Sequence, residues 1–296
     1  MKFIFASTAL ILCATMMSGS SHAGDDLSML EGPYLGQTPP GMVAKPFAPG
    51  IVNTEEWGDS IGFSLDMNEL HVSRWRHTKD ARKPESVTFK KVGNGWQKSV
   101  VPPGTRKPFH APDGKTLHFG KHYKARTADG WSEMKSLGAA FEEIRIMGLT
   151  ASAKGTLVFD EFTRDGNGVL RYSRLVDGKR EEPKPLPKEI NTGKWNAHPF
   201  IAPDESYMMW DGERESGYGD SDLYISFRLK DGTWGEAINM GDKVNTETEE
   251  GGPQVTPDGK YLFFNRMVPS ATGDAGAQSD LFWIDVKIIE TLRPKQ

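Results

Sequence analysis

The stretch from residue 244 to 264, VNTETEEGGPQVTPDGKYLFF, limits the fold most tightly, because recognisable versions of it return along almost the whole chain. Val255, Pro257-Asp258-Gly259 and Tyr261-Leu262-Phe263-Phe264 read as a short strand, a tight turn and a more apolar second strand. That is a β-hairpin whose proline and glycine supply the turn geometry. Thr246 lies twelve residues before Asp258, and Pro253 lies five before it. The same intervals hold for Asn191-Thr192, Pro199 and Asp204, and for Asn53-Thr54, Ile61 and Asp66. Degenerate copies at 106–119 and 146–159 fill the gap, the second without its Pro-Asp pair. Five turn positions result, Asp66, Asp113, Ala153, Asp204 and Asp258, separated by 47, 40, 51 and 54 residues. A period of this size predicts an all-β β-propeller with one four-stranded sheet per repeat. Five blades are expected. Six are the rival, but the 28 residues from Gly24 to Ile51 are too few for another blade.

The segment VAKPFAPGIVNTE (43–55) runs parallel to WGEAINMGDKVNTE (234–247), where a strand precedes the Asn-Thr turn. No blade precedes the earlier copy, so a strand around 43–51 is predicted to pair with the last blade and close the ring, which removes exposed edges. Outer strands follow from alternating patterns and Gly-containing turns at 86–100, 169–186 and 222–239. Residues 132–147 have some helical periodicity, yet the register needs an outer and an inner strand there, so no helix is expected. SDLFWIDVKII (279–289) is read as the third strand of the last blade.

The N-terminus carries Lys2, an apolar run from Phe3 to Met17 and the small-residue site Ser21-His22-Ala23, the pattern of a signal peptide over 1–23 with Gly24 starting the mature chain. Residues 24–42, rich in Gly, Pro and acid, are read as an extended lead-in, and 43–296 as a single propeller domain. Cys13, the only cysteine, falls in the segment to be removed, and Leu12 before it is too large for a lipoprotein site. A periplasmic or secreted protein without disulfides is expected. No second run of about 18 apolar residues suggests a membrane span. Lys and Arg number 36 against 40 Asp and Glu, so the concentrated basic face that nucleic acid requires is not indicated.

The pattern N-T-x-x-x-x-x-x-P-x-x-x-P-D-G-K-x-L-x-F, followed by D-L-Y/F and W-G-E-A, resembles the WD-like repeat of TolB-like β-propellers. VTPDGKYLFF and SDLYISFRLKDGTWGEAINMGDKVNTE match it closely, IAPDESYMMW and HAPDGKTLHF less fully, and the likeness covers about residues 43 to 289. It implies an exported propeller that binds or scaffolds more often than it catalyses, and it carries over no catalytic residue.

Loops entering the innermost strands crowd round one mouth of a propeller's channel. The register places there Glu56 and Asp59 from blade one, and Arg106, Lys107 and His110 from blade two. Blade three adds Glu143 and Arg145, blade four Asn196 and His198, and blade five Glu249, Glu250 and Gln254. As exposed loop charges these would contribute little to stability. Both signs of charge suit a polar ligand, a glycan or a protein partner, and equally a solvated network that only pairs with itself. The enzyme alternative is glycan cleavage by carboxylates at the axis, with Glu56 or Asp59, Glu143 and Glu250 as the inventory. Trp57 and Trp195 share one register position, suited to sugar stacking or to blade packing. His110 and His198 are too few for zinc, and Asp165-Gly166-Asn167-Gly168 lacks the later glutamate of a calcium loop, so no metal is expected. With no G-x-S-x-G, H-E-x-x-H or phosphate-cradling glycine loop, no cofactor is expected either.

Overall fold

The computed structural model describes residues 30–77, 82–102, 108–269 and 277–295. The expected signal peptide, Arg106 and Lys107 lie outside these residues. Five antiparallel four-stranded sheets, each built from the channel outward, form a five-bladed β-propeller. Blade one comprises Trp57–Phe63, Glu69–His77, Arg82–Val92 and Gly95–Val101. Blade two comprises Phe109–His110, Thr116–Phe119, His122–Thr127 and Lys135–Ser136, with Gly130–Trp131 also pairing to its third strand. Blade three comprises Leu149–Ala151, Leu157–Asp160, Leu170–Ser173 and Lys184–Pro185. Blade four comprises Lys194–Ile201, Tyr207–Glu213, Asp222–Phe227 and Ile238–Asn239. Blade five takes Glu250–Val255, Tyr261–Pro269 and Ala277–Asp285 from the C-terminal region and Lys45–Pro46 from the N-terminal one.

Closure is thus as expected, though the closing strand is shorter than 43–51. Lys45 pairs with Trp283 and Pro46 with Phe282, and the Phe47 N–H donates to the Leu281 carbonyl at 2.8 Å. Proline is tolerated because this is the outermost strand, where its missing donor faces no neighbour. Phe47 is wholly buried, with its ring edge-on to Phe263 and Trp283 at 4.9 and 5.1 Å. The lead-in is packed from residue 30 onward. Tyr34 is buried against Phe63 and Tyr261, and its hydroxyl donates to Asp258 Oδ1 at 2.6 Å.

Two repeated residues explain the repeat itself. The turn aspartates accept hydrogen bonds from residues just beyond them, as in Asp113 from the Lys115 and Thr116 N–H at 2.7 and 3.0 Å, and Asp204 from the Ser206 N–H at 3.0 Å. A short side chain mimicking the backbone turn is why Asp recurs there. The asparagines act across strands. Asn53 exchanges a donor and an acceptor with the Leu281 backbone, Asn191 with Leu170 and Asn245 with Leu223, all within 3.1 Å. Each side-chain amide therefore extends the third strand of the blade before it and ties the connection down.

Apolar runs rather than alternation mark the inner strands because both faces of a blade are covered. Successive residues turn to opposite neighbours. Phe263 packs between blades five and one, while Leu262 and Phe264 pack between five and four. Met209 faces blade five, and Met208 and Trp210 face blade three. A fourth cluster around Phe141, Ala151, Leu157 and Phe159 joins blades two and three. Among the described residues no such cluster joins blades one and two. There the second strand of blade one alternates, with Leu70 and Val72 turned to blade five and His71 and Ser73 on the other face.

Two expectations are corrected. A single helical turn, Ala139–Glu142, interrupts 132–147, because it lets Phe141 plug the cluster between blades two and three. The third strand of blade five stops at Asp285, and Lys287–Leu292 is helical, burying Ile288 and Ile289 under blades four and five.

Candidate functional site

A channel of about 970 Å³ runs along the axis and is lined by all five blades. Its end near the innermost-strand entries carries Asp59, His198, Asp211 and Glu249, while Pro203, Val255 and Pro257 line it near the hairpin turns. No lysine or arginine lines it among the described residues.

Blade four supplies the central group. Its innermost strand is bulged, with register shifts on both sides of Ala197, and Trp195 and His198 take left-handed backbone angles, φ 54° and 45°. Bulges of this kind re-aim side chains. The His198 side chain lines the lumen and is 44% exposed there, with Nδ1 at 3.1 Å from both oxygens of Asp211. Asp211 is buried, and its Oδ1 also accepts the Gly252 N–H of blade five at 2.9 Å. The negative charge of Asp211 raises the His198 pKa to about 9, against the opposing effect of burial, with its hydrogen bond and Asp160 assisting. Behind the ring sits Asp160, wholly buried, which accepts the Met147 N–H at 2.7 Å, the Gly148 N–H at 3.0 Å and the His198 N–H at 2.9 Å. Burial pushes its pKa up, and the His198 charge and these N–H groups pull it back.

Glu249 faces the lumen beside this pair. Burial raises its carboxyl pKa, and the like charges of Asp211 and Asp220 raise it further, with His198 opposing. Asp59 lines the lumen from blade one; its Oδ1 accepts the Trp75 indole N–H at 3.4 Å and its carbonyl accepts from Asn265 at 2.8 Å. The arrangement thus brings the carboxyl groups of Glu249 and Asp59 and the imidazole of His198 into one lumen.

Of the residues expected at the mouth, Asp59, His110 and His198 line the channel together with Glu249 and Gln254. Glu250 does not. It is wholly buried, accepting Arg266 Nε at 2.8 Å and the Thr246 N–H and hydroxyl at 2.9 and 2.6 Å. Asn196 is also buried, bonded to Thr192 and to the Trp210 indole. Glu56 lies 3.9 Å from Arg76, and Arg145 lies over the Phe162 ring at 4.4 Å. Glu143 is exposed at the end of the one-turn helix, outside the channel lining. The groups that sequence reasoning missed, Asp160 and Asp211, share a signal. Each lies seven residues after its turn position, directly after the apolar run of the second strand, where the other blades have Ser73, Gly120 and Asn265. Among the described residues no group of three metal-ligating side chains converges, and no helix is long and apolar enough to cross a membrane.

The His198 pair gives a pH-dependent stability. The folded imidazole, at about 9 against an ordinary 6.5, holds its proton more tightly than the unfolded one. Its contribution is therefore complete below pH 6.5 and disappears as pH rises through about 9. With the ring nearly half exposed, solvent screening reduces the linkage to about 1–2 kcal/mol. Urea unfolding at about pH 6 and pH 9.5 should show this loss in the parent and not in His198→Asn. Equal pH dependence in the two proteins would mean that the pair contributes nothing.

No family model matches the chain, and no curated protein matches it. Solved structures resemble it in fold. The catalytic domain of a Coprinopsis cinerea GH62 α-L-arabinofuranosidase aligns with 82% of this chain and 94% of its own, at 10% identity and a TM-score of 0.46. A thermostable family-43 glycoside hydrolase aligns with 78% of this chain and 90% of its own, at 11% identity and a TM-score of 0.42. The β-propeller domain of the Trilobed protease from Pyrococcus furiosus aligns with 78% of this chain and 70% of its own, at 14% identity and a TM-score of 0.35. At such values none of them bears on what this chain does, and the five-bladed architecture rests on its own sheets.

Proposed function

We propose that the protein is a carbohydrate-active propeller that takes a polyhydroxylated ligand at the carboxylate end of its channel and cleaves a glycosidic bond there. The observation that carries this reading is the pair of lumen carboxyls from adjoining blades, Glu249, whose proton affinity is raised, and Asp59. Such chemistry needs one carboxyl that keeps its proton and one that does not. Glu249 gives its proton to the glycosidic oxygen as the anomeric C–O bond breaks, and Asp59 accepts the proton of the water that attacks the anomeric carbon. Replacing Glu249 with Gln keeps the shape but removes the transferable proton. A loss of about a hundredfold in release of reducing sugar, with binding of the same polysaccharide retained, is expected. Undiminished release from Glu249→Gln would remove Glu249 from this role.

A second reading, recognition of a glycan or protein partner without cleavage, draws support from Trp75 and Trp195, 37% and 42% exposed. A glycan-array screen run beside the reducing-sugar assay separates the two, since binding with no cleavage of any polysaccharide favours it. On the pattern of residues 1–23 we further propose that the protein acts in the periplasm or outside the cell.

A further inference from the structure

We propose that Asp160 and Gly148 are positioning residues for His198, holding its imidazolium so that Nδ1 stays on Asp211 and the Nε2–H points to the ligand as a fixed cationic donor. The inference rests on the reading that the lumen is the functional site, but its geometry is independent of which ligand enters. His198 has a left-handed backbone, φ 45°, a conformation uncommon outside glycine. What holds it there is visible. Asp160 Oδ2 takes the His198 N–H at 2.9 Å and the Gly148 N–H at 3.0 Å, so one buried carboxylate joins the blade-four strand to the entry of blade three. A Cβ on Gly148 would lie 2.8 Å from His198 Cα and 3.3 Å from Asp160 Oδ2, so only glycine permits this approach.

The same grip explains the ring. With the backbone held, Nδ1 sits equidistant, at 3.1 Å, from the two Asp211 oxygens, and among the described residues Nε2 has no protein partner. Asp211 is fixed in turn by the Gly252 N–H of blade five. Three blades thus fix one N–H donor, the preorganisation that stabilises charge developing on a ligand oxygen without reorganisation at the moment of reaction. Asp160 touches no ligand in this arrangement. It acts through the His198 backbone.

The test separates position from charge, because Asp160 also raises the His198 pKa through its own charge. Gly148→Ala and Asp160→Glu leave every formal charge in place and disturb only geometry. In each full-length variant the His198 imidazole is titrated by NMR, with tryptophan fluorescence reporting that the blades are folded. The expected result is a midpoint at least about one unit below that of the parent titrated in the same way. A midpoint unchanged in both variants would sink the inference, leaving Asp160 as a charge alone. Should one variant fail to fold, the other decides. The measurement needs no ligand, so its failure is distinct from a failure of the carbohydrate reading, which the Glu249→Gln assay judges.

Discussion

Arg266→Ala is expected to lower the unfolding free energy by about 3–5 kcal/mol, because it strands a carboxylate in the interior. Glu250 is wholly buried, and its other partners are the Thr246 N–H and hydroxyl. Arg266 covers it with Nε at 2.8 Å, donates Nη2 to the Val244 carbonyl at 2.7 Å and lies over the Phe282 ring at 4.4 Å. Burial already raises the Glu250 pKa against the opposing effects of Thr246 and Arg266, so without the cation the carboxyl should take up a proton on folding. Stability of the variant should accordingly improve as pH falls toward the carboxylate range, the same sign as the loss at alkaline pH that His198 imposes on the parent but in a more acidic window. Urea titrations at two pH values check both the size and the sign. A cost below about 1 kcal/mol would place Glu250 among ordinary surface charges, as its loop position in the sequence suggested.

Phe47→Ala should cost about 4 kcal/mol, the usual loss for a buried aromatic reduced to a methyl group. For a chain of this size that corresponds to a melting temperature lower by about 10 °C. The ring carries more than its own area. It lies between Phe263 and Trp283 at the point where the N-terminal strand completes blade five, and only two residues of that strand are paired. Calorimetry combined with limited proteolysis gives the test, since weakened closure exposes the segment before Asn53 to cleavage. A variant that melts within about 2 °C of the parent, with that segment still protected, would mean that backbone pairing and Tyr34 hold the ring without Phe47.

The architecture was legible because its causes are local and repeated. Proline, aspartate and glycine at 257–259 dictate a turn wherever they stand, and Asn53, Asn191 and Asn245 hold their strands by contacts that recur from blade to blade. The site was less legible, for a geometric reason. Side chains of a strand point to opposite faces in turn, so a shift of one residue exchanges lumen for core. Glu249 and Glu250 are neighbours in sequence, yet the irregularity at Gly251–Gln254 leaves the first in the channel and the second against Arg266. Nothing local announces such a bulge, nor the bulge that turns His198 inward. Asp160 and Asp211 were hidden differently. They stand where the apolar run of each second strand gives out, and their meaning appears only when blades three and four are brought together around His198.

Ring closure has a consequence for the order of events during synthesis. Asn53 binds the backbone of Leu281, 228 residues further along, and at about 5–20 residues per second the ribosome separates the two by roughly 10–45 s. Through that interval Phe63, Leu70, Val72 and Phe89 of the first blade have no Phe263 or Trp283 to cover them, since both belong to the same cluster and neither has yet been made. The first blade to emerge is therefore among the last to be completed. A nascent chain with this topology presents a sticky, half-finished sheet for most of its translation, and its yield in a cell should depend on how well that sheet is shielded until the final strand arrives.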